Sequence, residues 1–159
     1  MAIEVPTLAS EAIGHIGSFE VRNTMLMAWL AMAVLTTIAL VLKAKGYQRV
    51  PGRFQALCEM IIEGLFDFFN TIMLDPKRTR QVFPLVASIF LFIVTANWMG
   101  VLPGVGSITI EGTHEGHLLA LPLLRSMNAD VNMTFAFAAI AMLAVQIFGF
   151  AALGLRGYA

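Results

Sequence analysis

Charge is what this chain has least of. Only 13% of its 159 residues are ionisable Asp, Glu, Lys or Arg, ten acidic and ten basic, against 58% hydrophobic residues. A net charge of zero without a basic patch argues against a nucleic-acid partner. Cysteine is nearly absent as well: Cys58 is alone, which excludes an intramolecular disulfide and a cysteine-rich metal site. The first 23 residues hold Glu4, Glu11 and Glu20 and no Lys or Arg before Arg22, so the basic start of a secretory signal is missing and a retained N-terminal segment is expected. No glycine-rich phosphate loop and no nucleophile with a nearby base is found. His15 stands between Gly14 and Gly17 with no partner, and His114 and His117, in HEGH, lack the HExxH spacing that sets two imidazoles on one helical face. No metal, cofactor or catalytic activity of the chain's own is therefore expected.

What is present is apolar length. Polar surface this sparse cannot cover a soluble monomer of 159 residues. The expected class is an all-α integral membrane protein with three transmembrane helices and one amphipathic interfacial helix, in a single membrane domain over 1–159. Residues 1–23 form an external segment. The first span, 24–42, has no charge and reaches about 28 Å, close to the ~30 Å of a hydrocarbon core. Lys43, Lys45 and Arg49 follow it, Gly46 stops it, and Pro51 and Gly52 open the next element.

Over 53–73 the pattern turns amphipathic. Phe54, Leu57, Ile61, Leu65, Phe68 and Ile72 recur every three or four residues, and Gln55, Glu59, Glu63, Asp67 and Asn70 recur on another face. This helix is expected to lie on the membrane, in contact with the lipid bilayer without crossing it. Like charges at i and i+4 oppose a helix by roughly 0.2–0.5 kcal/mol per pair. Glu59, Glu63 and Asp67 are thus either a solvated cytoplasmic face or a docking stripe for a basic partner. A loop over 74–81 with Asp75, Lys77, Arg78 and Arg80 returns the chain to the second span, 83–102, which leaves through Gly100, Pro103 and Gly104. Asn97 near its exit either bonds to another helix or faces water, and Trp98 suits the aromatic belt of the interface.

An external loop over 103–127 leads to the last span, 128–155. Its entrance holds Arg125, Asn128, Asp130 and Asn132 within eight positions. A charge at the centre of a spanning helix costs roughly 2.5–3.5 kcal/mol on insertion scales, so such groups are usually kept for pathways and partners. With Asn128 as N-cap and Asp130 in the first turn, helix capping is the bland explanation of the cluster. Asn132 and Gln146, fourteen residues apart, fall within ~40° on a helical wheel. That face, near Ala136 and Ala139, is either polar glue between helices or the lining of a watery path. Counting cations, eight of the ten Lys and Arg fall on one side and only Arg22 and Arg125 on the other, which sets the N-terminus and the polar cluster outside.

The stretch LLRSMNADVNMT, with Arg125, Ala129, Asp130 and Asn132, resembles the RxxxADxN signature of subunit a of the F-type ATP synthase. VPGRFQALCEMIIEGL (50–65) and FPLVASIFLFIVTANWMGVLPG (83–104) agree with the same family in its own order and spacing. The resemblance implies the static half of a rotary motor in the inner (plasma) membrane, set against a c-subunit ring, bound to the peripheral stalk b subunits, and coupled through the complex to a catalytic head. It offers aqueous half-channels to protons, or to sodium ions in some members. By the same resemblance Asn97, Asp130 and Asn132 match polar positions of the outer half-channel, and Arg125 matches a basic residue that holds the adjoining loop. The helix over 53–73 matches the one lying at the cytoplasmic surface near the stalk. Gln146 joins the half-channel candidates through the face it shares with Asn132. The family's arginine between the two half-channels belongs to a hairpin downstream of the matched segment, and Arg156, between Gly154 and Gly157, does not stand in its place. Either the chain is a fragment of a longer reading frame, the favoured expectation, or another chain supplies the hairpin. The competing class is a small membrane scaffold or transporter subunit unrelated to rotary motors, although the internal repeat of a carrier is not found.

Overall fold

A computed structural model describes residues 10, 12–46, 48–105, 107–114 and 117–154, with the backbone alone at 15, 16, 111–114 and 117–121. Glu4, Glu11, Glu115 and Arg156 lie outside the described residues, and of His15, His114 and His117 only the backbone is described. Strand β1 (Ala12–Ile16) pairs antiparallel with β2 (Phe19–Arg22), which leads into helix α1 (Asn23–Lys45). Helices α2 (Arg53–Met73) and α3 (Pro76–Val101) follow, then strands β3 (Thr109–His114) and β4 (His117–Pro122). A 3-10 turn (Met127–Ala129) precedes helix α4 (Val131–Leu153). Three of these helices, α1, α3 and α4, are long and apolar enough to cross a membrane. At 1.5 Å per residue their 23, 26 and 23 residues measure about 35–39 Å.

The chain is therefore an all-α membrane protein in its spanning part, with two small hairpins added. These hairpins are the first departure from the expected layout, which had plain external segments at 1–23 and 103–127. β1 and β2 are joined by Gly17 and Ser18, and Gly17 adopts φ 65°, a left-handed conformation that costs glycine nothing. β3 and β4 pair in full register from Thr109↔Pro122 to His114↔His117, with two residues between them.

A second departure concerns the expected loop over 74–81, most of which is helix. Leu74 takes a left-handed conformation (φ 54°) and its N–H closes α2 on the Asn70 carbonyl. Asp75 then caps α3: its Oδ1 accepts from the backbone N–H groups of Lys77 (3.0 Å) and Arg78 (3.3 Å), and Pro76 occupies the first helical position. A proline fits there because that N–H has no helical partner in any case. Pro84, further along, is spanned without a break, and Ser88 donates its hydroxyl to the Pro84 carbonyl at 2.6 Å.

The third departure is at the start of α4. Asp130, and not Asn128, is the N-cap: its backbone is extended (φ −96°, ψ 119°) and its carboxylate accepts the Asn132 backbone N–H at 2.9 Å. A carboxylate satisfies an orphan N–H and meets the positive end of the helix dipole, which an amide does less well. The helix ends at Leu153 on Gly154 (φ 70°), whose N–H bonds the Phe150 carbonyl. α1 in turn runs on from the expected 42 to Lys45 before Gly46 (φ 67°) stops it.

Two compact units partition the chain, 32–92 and the remaining described residues. In 32–92, α2 packs on the start of α3 through aromatic edges. Phe66 and Phe83 meet at 5.2 Å and 82°, Phe69 and Phe83 at 6.3 Å and 67°, and the Arg80 guanidinium lies 5.9 Å over the Phe66 ring. Thr79, fully buried, donates its hydroxyl to the Asp75 carbonyl at 2.9 Å and lies 3.3 Å from Asn70 Oδ1. The recurring apolar residues of α2 do not make this contact: Phe54, Leu57, Ile61, Phe68 and Ile72 are all exposed. In the other unit the buried residues gather at the start of α1 (Asn23, Thr24, Met27, Ala28, Ala31), with Ala96, Met127 and Asp130. α4 has no buried residue, and Phe135, Leu143 and Ile147 are among its exposed side chains. In water such a surface would aggregate; in hydrocarbon it is the surface a span needs.

Candidate functional site: a polar cluster where two helices begin

Of the residues singled out from the sequence, Asp130, Asn132 and Asn97 fall into two contacts. Asp130 is the centre of the first contact. Only 4% exposed, its carboxylate accepts from the Asn132 backbone N–H (2.9 Å) and side-chain amide (3.2 Å) at Oδ1, and from the Thr24 hydroxyl (3.3 Å) at Oδ2. The Ser10 hydroxyl is a further partner, and Ser10 Oγ in turn accepts from Arg22 Nη1 at 3.4 Å. Burial alone pushes the Asp130 carboxyl up. The hydrogen bonds from Ser10, the Asn132 backbone, Thr24 and the Asn132 side chain outweigh it, and the carboxyl sits below the usual carboxylate range.

Thr24 and Asp130 lie 106 positions apart in the chain, so this contact ties the start of α1 to the start of α4. Asn23 closes the same region: its Oδ1 accepts from the Thr24 N–H at 2.9 Å and its Nδ2 donates to the Pro122 carbonyl at 3.3 Å. Sequence reasoning missed Ser10, Asn23 and Thr24. The available signal was a polar Asn-Thr pair set at the mouth of an apolar run.

The second contact joins Asn97 to Asn128, whose Nδ2 donates to Asn97 Oδ1 at 2.6 Å and lies 3.5 Å from the Ile93 carbonyl. Asn97 is nevertheless exposed, so its amide bonds across to the turn and also meets the surroundings. Asn128, expected as a cap, is instead the partner of Asn97. Close packing at this end depends on Gly100, where a Cβ would stand 2.9 Å from Ser126 Cβ and 3.5 Å from its Cα.

Gln146 and Arg125 lie elsewhere. Gln146, half-buried, lies about 21 Å along α4 from Asn132. Arg125 is half-buried in the segment between β4 and the 3-10 turn. The acidic residues of α2 belong to the unit 32–92. Glu59 accepts from Gln55 Nε2 at 2.7 Å, Glu63 and Asp67 are exposed, and none of the three forms an ion pair among the described residues. No three His, Cys, Asp or Glu side chains converge among the described residues.

Chemically, the cluster is a carboxylate held ionised at neutral pH, ringed by hydroxyl and amide groups, at the mouth of a long, mostly apolar helix. It does not itself exchange protons near neutrality, because its titration lies in acid. Fold and cluster together define a multi-pass membrane protein in which two of the three spanning helices begin in a satisfied polar site. Residues 25–159 match the family model described as ATP synthase A chain. Among similar proteins, the ATP synthase subunit a of Moorella thermoacetica is 30% identical over 146 residues, 92% of this chain and 57% of that protein. That of Bradyrhizobium sp. (strain ORS 278) is 32% identical over 144 residues, 91% of this chain and 49% of its own length. That of Rhodopseudomonas palustris (strain HaA2) is 37% identical over 92 residues, 58% of this chain and 36% of its own length. The chain belongs to the ATP synthase subunit a family, and it spans about half the length of the curated relatives it matches.

Proposed function

We propose that the chain forms the outer ion-access part of a subunit a, the static, non-catalytic partner of a c-subunit ring, and that Asp130 is a fixed anion at its entrance. The observation that carries this reading is the buried Asp130 carboxylate, held below its usual titration range by several donors at the start of a mostly apolar helix that carries Asn132 and Gln146. A structural cap alone needs one N–H contact; Thr24 and Ser10 add partners from elsewhere in the chain. Asn97, Asn132 and, deeper, Gln146 then offer amides that hydrate an ion or a proton-bearing water chain, and Arg125 anchors the adjoining loop.

In this reading the chain is multi-pass in the plasma membrane with its N-terminus outside. Support comes from the eight of ten Lys and Arg that fall on the opposite side. The hairpins β1–β2 and β3–β4 lie outside, and α2 lies along the cytoplasmic surface with Glu59, Glu63 and Asp67 turned to a basic partner, the b subunits of the stalk. Ion flow through the ring drives synthesis in the catalytic head; each charge crossing ~100 mV gains ~2.3 kcal/mol.

The test uses the assembled complex in membrane vesicles. Asp130→Ala is expected to lower ion-driven ATP synthesis about tenfold, with the c-ring retained in its usual proportion, as a lost electrostatic entrance would. Unchanged synthesis with Asp130→Ala, or loss only in step with loss of the c-ring, would contradict the entrance role.

A further inference from the structure

One cavity in the unit 32–92 takes no part in the function just proposed. It has a volume of about 350 Å³ and lies where the end of α1 meets the start of α2. Its lining combines two cations, Lys45 and Arg53, with two apolar side chains, Leu42 and Phe54. Both cations are exposed and neither forms an ion pair among the described residues. Its polar wall is held in shape locally: Gln55 Nε2 donates to the Gln48 carbonyl at 3.2 Å and to Glu59 at 2.7 Å, while Gln55 Oε1 accepts from the Gln48 N–H at 3.4 Å.

Depth decides what such a cavity receives. Lys45 is the last residue of a spanning helix, so the cavity opens at a boundary between hydrocarbon and water. A ligand there must offer negative charge to Lys45 and Arg53 and hydrocarbon to Leu42 and Phe54. We propose that this cavity is a binding site for one anionic glycerophospholipid, its headgroup phosphate between Lys45 and Arg53 and an acyl chain along Leu42 and Phe54. Basic pockets at helix ends on the cation-rich side of a membrane suit anionic headgroups, and each cation near the surface adds to the attraction. Arg53 also supplies the planar fork that matches two phosphate oxygens. The site is independent of the rotary reading and requires only that the chain be embedded.

The purified chain in detergent micelles is titrated with a fluorescent phosphatidylglycerol and, separately, with the matching phosphatidylcholine. Phosphatidylglycerol is expected to bind in preference, and Lys45→Gln with Arg53→Gln to weaken it about tenfold or more, two surface cations being removed. Lys77→Gln, which removes a cation outside the cavity, is expected to leave binding within about twofold. Equal losses for the two variants would mean diffuse attraction, and displacement of the lipid by millimolar inorganic phosphate would mean a free-phosphate site; either result overturns the proposal. Should the double variant lose its helical circular dichroism, a photoreactive phosphatidylglycerol on the unaltered chain decides: crosslinks concentrated on the peptides carrying Leu42 and Phe54 support the site, and crosslinks spread over α4 refute it.

Discussion

The two compact units are held by different chemistry. Where α1 and α4 begin, side chains far apart in sequence are tied by hydrogen bonds: Thr24 to Asp130 at 3.3 Å, Asn23 to Pro122, and Asn97 to Asn128. In 32–92, the turn between α2 and α3 is closed by backbone caps, the buried Thr79 hydroxyl and an aromatic group of Phe66, Phe69 and Phe83. Buried polar groups cost several kcal/mol unless they are satisfied, whereas an aromatic contact depends little on pH or orientation of protons. A membrane chain that needs only to turn can use rings. The polar arrangement in the other unit has to keep every buried group satisfied, and that demand is the reason to seek a function there.

Substitutions that separate the two kinds of contact sharpen this difference. The largest expected effect is Phe83→Ala, which removes both ring contacts at the α2–α3 turn and is expected to lower stability by about 3 kcal/mol in thermal unfolding in detergent. Asp130→Ala comes next, at about 2 kcal/mol, because it removes a helix cap and leaves the Thr24 hydroxyl without its acceptor. These two also differ in pH dependence. Asp130 has its carboxyl lowered in the folded chain, so its contribution is present above the unfolded value near 4 and is lost as pH falls through the folded one. The acid limb of an unfolding profile is therefore expected to flatten in Asp130→Ala and to persist in Phe83→Ala.

Gly100→Ala is expected to cost about 1–2 kcal/mol, since its Cβ would stand 2.9 Å from Ser126 Cβ, and Ser126→Gly in the same chain is expected to restore most of it. Failure of that rescue would mean that the close approach is not what limits the site. The smallest effect, about 0.5–1 kcal/mol, is expected for Asn97→Ala, whose single side-chain contact to Asn128 is exposed; a double-mutant cycle with Asn128→Ala checks the pair.

The spanning helices were legible because apolar length is a local property. The start of α3 is hidden from hydropathy: Asp75-Pro76 is a helix-start signal, but the basic Lys77, Arg78 and Arg80 have the polarity of a loop. The Gly17-Ser18 turn carries a hairpin signal in the sequence too, a glycine in a two-residue connection. At the site, Asn97, Asp130 and Asn132 stood out as polar groups beside apolar runs. Their partners did not, because Thr24 and Ser10 are ordinary residues made important by a pairing across most of the chain, and no periodicity encodes such a pairing. The aromatic contact was hidden for the same reason: Phe66 and Phe69 lie off the recurring apolar face of α2 and take their meaning from Phe83.

The most direct test of the entrance role is aqueous accessibility along α4. In a Cys58→Ser background, Asn132→Cys and Gln146→Cys are compared with Val145→Cys, which has nearly the depth of Gln146 but points about 100° away on the helix. In the assembled complex, a small hydrophilic thiol reagent added from the N-terminal side is expected to modify positions 132 and 146 and to spare 145. Modification at 132 alone, or at none of the three, would mean that the polar face is glue between helices and not a path for ions.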